Sequence, residues 1–313
     1  MQYFLDTNIY RNLVRNLSIQ EVLELAINIK SEEKKGNDSA GFPITVAMEL
    51  ISHLINGDPH FEECFKALIL LFEHTKNYNA EKDIYHGTFF PPLNVVLPKY
   101  FFNEDGPFLE IYLLVIKLTN DLVQNQDENN AGHFTTQIQA IKEQILFEKK
   151  EIFENLVQYI ISINNGKLDW EYFKKNKVAR DKWFLDMKTG KAFTFLAEGF
   201  MMRAYSLVGI AFERTDKNFE SFKKFHEIFF PAIAMVSIIL IQVGHGTKAI
   251  ADINDHRWNT VTDISMMFGA LFNSDIKEKI FVTEEKKMHE LFDLNNMSNR
   301  IIKLQEFKNR FRI

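Results

Sequence analysis

The chain of 313 residues has one cysteine, Cys64, so it cannot build an internal disulfide framework, and its composition suits a reducing, cytoplasmic compartment. It has no basic segment with a small-residue cleavage site at the N-terminus, where an apolar run begins almost at once. It also lacks an apolar run long enough to cross a bilayer. The most apolar stretch, Ile228–Val243, reads as a buried helix with Pro231 in its first turn. The nine histidines form no His-x-x-x-His or His-Glu-x-x-His zinc pair, there is no phosphate-binding Gly-x-x-x-x-Gly-Lys loop, and Gly-x-Ser-x-Gly is missing. These absences remove zinc hydrolases, P-loop enzymes and serine hydrolases. Cys64 falls on an apolar helix face and reads as core. The abundance of Asn, Lys and Ile fits an AT-rich bacterial genome.

What is present is a set of acids at the ends of short apolar runs. Tyr3-Phe4-Leu5 reads as a buried strand that delivers Asp6 into Thr7-Asn8, where a helix begins. A carboxylate beyond the carboxyl end of a strand lies where open α/β sheets bind ligands, although Asp6 also suits a helix N-cap. Ile44-Thr45-Val46 reads as a β-prone piece leading into a helix that carries Glu49 in its first turn. Asp263 opens a late apolar helix, with Thr262 or Asn259 as its cap, and Asp255 is its rival. Ile280-Phe281-Val282 reads as a second buried strand, ending in Thr283, Glu284 and Glu285.

Taken in this order, Leu5-Asp6-Thr7-Asn8, Ile44-Thr45-Val46-Ala47-Met48-Glu49, Asp263 and Val282-Thr283-Glu284-Glu285 resemble the signatures of the PIN-domain nuclease family. The resemblance covers roughly residues 1–60 and 250–313. Glu285 stands where the family usually has Asp or Asn, which adds a methylene and leaves open whether Glu284 or Glu285 completes the set. The resemblance implies an α/β fold, a PIN-like core with a central, mostly parallel sheet, made of residues 1–60 and 245–313 and interrupted by an all-helical insertion at 61–244. It also implies an Mg²⁺ or Mn²⁺ site on Asp6, Glu49, Asp263 and Glu285. Hard cations of this kind prefer oxygen ligands and can activate water against a phosphodiester. Asp6 would be a direct ligand, and Glu49 and Asp263 direct or water-mediated ones. Glu285 would act through a water or orient the nucleophile, while Asn8 and Thr283 would hold the acids in place. The implied function is a metal-dependent endoribonuclease; a DNA nuclease on the same site, or an inactive PIN-like scaffold, are the alternatives.

The net charge of −5 does not advertise a nucleic-acid partner. Local clusters do. Residues 174–191 carry seven Lys and Arg, among them Lys174, Lys175, Lys177 and Arg180, against Asp181 and Asp186. Trp170, Tyr172, Phe173, Trp183 and Phe184 are interleaved, which is the make-up of a single-strand surface or of a solvated helix face with its aromatics in the core. Residues 300–312 form a second basic cluster. RNA ranks ahead of DNA as partner, no membrane is expected, and a homo-oligomeric or inhibitory protein contact stays open. Between the acids, apolar spacing predicts helices over 61–72, 108–123, 136–164, 193–213 and 228–243.

Overall fold

The computed structural model describes residues 1–79, 84–86, 89–124, 128–169, 171–188, 191–244, 259–272 and 278–313. Its strands are β1 (Gln2–Leu5), β2 (Ser39–Ala40), β3 (Phe42–Pro43), β4 (Asn77–Asn79), β5 (Ile84–His86), β6 (Phe89–Phe90), β7 (Lys279–Val282) and β8 (Ile301–Ile302). Its helices are α1 (Thr7–Val14), α2 (Ile19–Lys35), α3 (Ile44–Ser52), α4 (Phe61–Thr75), α5 (Leu93–Phe102), α6 (Leu109–Val123) and α7 (Thr135–Ile163). They continue with α8 (Tyr172–Lys175), α9 (Lys177–Lys188), α10 (Lys191–Leu207), α11 (Asp216–Gly244), α12 (Thr260–Leu271), α13 (Lys286–Asp293) and α14 (Leu304–Phe311). The chain is α/β and mostly helical, with a small parallel sheet in the order β2-β1-β7-β8. Among the described residues no helix is long and apolar enough to cross a membrane.

The chain divides into two compact units. The first comprises 1–92, 108–143 and 269–313, the second 93–107 and 144–268. The first takes in α4 and α6 besides residues 1–60, because α4 packs on α1, α2 and α3, and α6 packs on α3 and α4, whereas of 245–313 it holds only 269–313. Nor is 61–244 all helical: β4 pairs with β5, and β6 pairs in parallel with β3.

In the first unit β1 lies between β2 and β7, with Leu5 opposite Val282. Side chains alternate across a strand. Tyr3 meets Phe307 and Phe311 of α14 edge-on at 5.8 and 5.0 Å, whereas Phe4 meets Phe90 at 4.2 Å. Both faces of β1 are therefore covered, as a parallel sheet requires. The Phe4 side is tight. A Cβ at Gly41 would lie 2.0 Å from the Phe4 ring, and one at Gly269 would lie 2.4 Å from Phe90 and 2.7 Å from the Pro91 carbonyl oxygen. Gly269→Ala should therefore cost about 1–3 kcal/mol of overpacking, measured by urea denaturation; an unchanged midpoint would show that this wall yields.

Two local readings change. Ile44, Thr45 and Val46 are the first turn of α3, not a strand, and Glu49 falls in its second turn. The whole helix from Ile44 to Met48 is buried, so packing overrides the β preference of branched residues. Helix α11 starts at Asp216, which puts Pro231 in its interior. Phe225 and Phe229 of α11 explain the early start: they stack against Phe268 at 5.9 and 5.1 Å and touch Tyr100 at 5.4 Å. This aromatic cluster is the core of the second unit. The stop at Asn164-Asn165-Gly166 is as expected: both Asn165 and Gly166 have positive φ, and the Gly166 N–H donates to the Ile161 carbonyl at 3.0 Å.

Candidate functional site

From β1 the chain reaches its next sheet neighbour, β2, on one side, while β7 lies on the other side and leads outward to β8. The order thus reverses between β1 and β7, and ligand crevices form at such points beyond the carboxyl ends of the strands. Asp6 follows β1 there, and Thr283 follows β7. The Asp6 N–H donates to the Val282 carbonyl at 3.0 Å, which extends the ladder by one residue.

The Asp6 side chain is 9% exposed and accepts a hydrogen bond from the Thr283 hydroxyl at 2.8 Å. It stands at the N-cap position of α1 but makes no side-chain capping bond. Burial, then the negative charge of Glu49, push its carboxyl up to about 7; the Thr283 hydroxyl and the Thr7 N–H pull it down, and Glu285 adds a smaller push upward. The charges acting on Asp6 are therefore carboxylates from α3 and from the start of α13. A buried acid under like-charge pressure is a frequent mark of a functional site.

Glu49 is half-buried, and its carboxylate accepts a short hydrogen bond from the Thr7 hydroxyl. Thr7 thus does the work expected of Asn8, whose side chain is exposed and has no hydrogen bond among the described residues. The sequence carried no signal for this, since Thr7 and Glu49 meet only through the packing of α1 on α3. Thr283 does hold Asp6 and also accepts from the Glu285 N–H at 3.1 Å, while the His289 ring contacts the Thr283 carbonyl at 2.8 Å. Glu284 and Glu285 separate cleanly. The Glu284 carboxylate accepts the Leu304 N–H at 2.9 Å at the start of α14, and the exposed Glu285 faces Asp6 electrostatically.

Asp263 lies in the first turn of α12, half-buried, in the second unit, with Asn259 taking a hydrogen bond from Lys149 at 2.8 Å. Asp255 lies outside the described residues. Among the described residues no group of three or more His, Cys, Asp or Glu is placed to hold a metal ion. Asp6, Glu49 and Glu285 thus share an electrostatic environment without forming a closed cage. Their chemistry still fits Mg²⁺, which keeps several waters and takes one or two carboxylates rather than an all-protein cage. Cys64 is buried, and burial pushes its thiol up to about 12, so it supplies no thiolate nucleophile.

The basic cluster of the second unit is partly neutralised. Lys175 pairs with Asp169 at 3.0 Å and Glu171 at 3.5 Å, Lys174 reaches Glu171 at 4.0 Å, and Arg180 reaches Asp181 at 3.9 Å. Counting from residue 174 leaves Asp169 and Glu171 out. Lys177 is exposed, Phe173 is buried, and Trp170 and the side chains of Trp183 and Phe184 lie outside what the structure describes.

No protein-family model matches the chain, and neither does any curated protein or solved structure.

Proposed function

We propose that the protein is a metal-dependent nuclease with a PIN-like first unit, acting on phosphodiester bonds, with single-stranded RNA as the first substrate to test and DNA as the second. The observation that supports this most is the buried Asp6 at the strand reversal, raised to about 7 by burial and by two glutamates. Asp6 and Glu49 would hold Mg²⁺ or Mn²⁺, with Glu285 acting through water. Such an ion, when bound, supplies Lewis acidity toward the phosphate and lowers the pKa of water. The chain's own part is positional. Thr283 fixes the Asp6 carboxylate, Thr7 fixes that of Glu49, and the β1–β7 ladder keeps the two threonines in register. A non-catalytic scaffold is the second reading, favoured by the lack of a three-acid group placed for metal among the described residues.

The deciding measurement is cleavage of labelled single-stranded RNA and DNA in Mn²⁺, in EDTA, and with Glu49→Gln. The nuclease reading expects cleavage in Mn²⁺ only, with a loss of at least 100-fold in the variant, since electrostatic stabilisers of this kind contribute on the order of 10²–10³ in rate. Equal cleavage in EDTA, or none from the folded parent on RNA or DNA, overturns it.

A further inference from the structure

Beside the acids, α1 and α3 carry a second group of side chains that the metal chemistry does not use. Thr7 of α1 binds Glu49 of α3. One turn further along each helix lie Arg11 and His53, and the loop after α3 brings His60 between them. The Arg11 guanidinium donates to His60 Nδ1 at 3.2 Å, and the rings of His60 and His53 meet perpendicularly at 5.5 Å. Arg11, His60 and His53 are thus linked one turn along the two helices from the Thr7–Glu49 pair. Asp58 builds the loop: its carboxylate takes the His53 Nδ1 at 3.0 Å and the His60 backbone N–H at 2.8 Å.

The hydrogen-bond chemistry assigns the ring protons. A guanidinium only donates, so His60 Nδ1 accepts and its proton sits on Nε2. His53 donates from Nδ1 to Asp58, which leaves its Nε2 as the open edge. Neither Nε2 has a partner among the described residues. Arg15 continues the Thr7–Arg11 line and is 63% exposed; Arg11 at 2.5 Å and Arg15 at 3.5 Å share the single charge of Glu63. Two guanidiniums share one glutamate, so donors of both remain unspent on this edge, and the His60 imidazole adds its Nε2–H. With a helical rise of about 1.5 Å per residue, Arg11 and Arg15 lie roughly 6 and 12 Å along the axis from Thr7. Side chains in this sequence suit a flexible anionic chain better than a compact ligand.

We infer that Arg15, His60 and the unspent donors of Arg11, with His53 packed against His60 to hold it, form a phosphate-contacting track for single-stranded nucleic acid leading away from Asp6. The inference rests on the proposed nuclease reading and adds where the strand lies. Phosphate oxygens accept from the guanidiniums and from the His60 Nε2–H, and no base edge is read, so the track grips the backbone and is indifferent to sequence. Its affinity is correspondingly salt-dependent.

The test compares the parent with His53→Ala/His60→Ala/Arg15→Ala and with Arg15→Gln alone, using fluorescence anisotropy of a labelled ten-nucleotide oligouridylate and its deoxy counterpart at several salt concentrations. Melting with and without Mn²⁺ is recorded in parallel. The triple variant should bind about tenfold more weakly, with the salt slope reduced by about 0.7 for each phosphate that is no longer neutralised. The Mn²⁺-dependent rise in melting temperature should be that of the parent. Arg15→Gln, at an exposed helix end, should show a smaller loss in the same direction and keeps the test open if the triple variant is unstable. A parent that cleaves RNA while both variants bind with its affinity and salt slope overturns the track and leaves the nuclease standing. A folded parent that binds neither oligonucleotide overturns both.

Discussion

At pH 8, Asp6→Asn should raise the melting temperature of the metal-free protein by roughly 5 °C or more, and at pH 4.5 it should change it little. The cause is the carboxyl pushed up to about 7 by burial and by Glu49. In the unfolded chain an aspartate titrates near 3.9, so between about 4 and 7 the folded protein binds more protons than the unfolded one, and stability falls as pH rises. Above 7 the penalty is complete. At about 1.36 kcal/mol per pKa unit it is on the order of 4 kcal/mol, in a chain where each kcal/mol moves the melting point by about 2–4 °C. Asparagine removes the charge and still accepts the Thr283 hydroxyl. Comparing parent and variant by calorimetry at the two pH values isolates this group from every other titration. Millimolar Mn²⁺ should stabilise the parent at pH 8 and leave the variant unmoved, because a cation that binds only the folded, ionised site shifts folding by mass action. If Asp6→Asn lowers the melting temperature at both pH values, Asp6 is a structural acceptor, and the cation reading loses its basis.

The strands that carry Asp6 and Thr283 were legible because Tyr3-Phe4-Leu5 and Ile280-Phe281-Val282 are short apolar runs with acids directly behind them, and both are strands of the sheet. The partner that fixes Glu49 was not, since Thr7 is 42 residues away in sequence and reaches it only once α1 and α3 pack. The start of α11 was missed because Asp216–Lys224 is polar by composition; its phenylalanines, 219, 222, 225 and 229, keep helical spacing and would have shown it. The same lesson applies to polar residues on apolar stripes. Val22, Ala26 and Ile29 are the buried side of α2, and Glu33 falls next on that side, as His74 does after Leu71 on α4. Read as stripe positions, these two residues announce a buried polar contact that a tally of charged residues conceals.

That contact carries the second large effect. His74 is 2% exposed and Glu33 3%, and His74 Nε2 lies 2.9 Å from the Glu33 carboxylate while Nδ1 lies 3.3 Å from the Tyr10 hydroxyl. The three side chains come from α4, α2 and α1, so the network ties α4 to the two helices it packs on. His74→Leu takes the donor from Glu33 and the ring nitrogen from Tyr10, leaving an acid buried without its partner. Breaking such a pair from one side costs about 3–5 kcal/mol, a large share of the 5–15 kcal/mol typical of a whole domain. In Glu33→Leu/His74→Leu both polar groups are gone and apolar volume replaces them, an exchange that is often neutral or stabilising. The double variant should therefore recover most of what His74→Leu loses, with a coupling energy of about 2 kcal/mol or more in a double-mutant cycle. Urea denaturation of the parent, both single variants and the double variant measures it. Losses that simply add would mean that Glu33 finds other solvation when His74 is gone, and that α1, α2 and α4 are held by their apolar stripes alone.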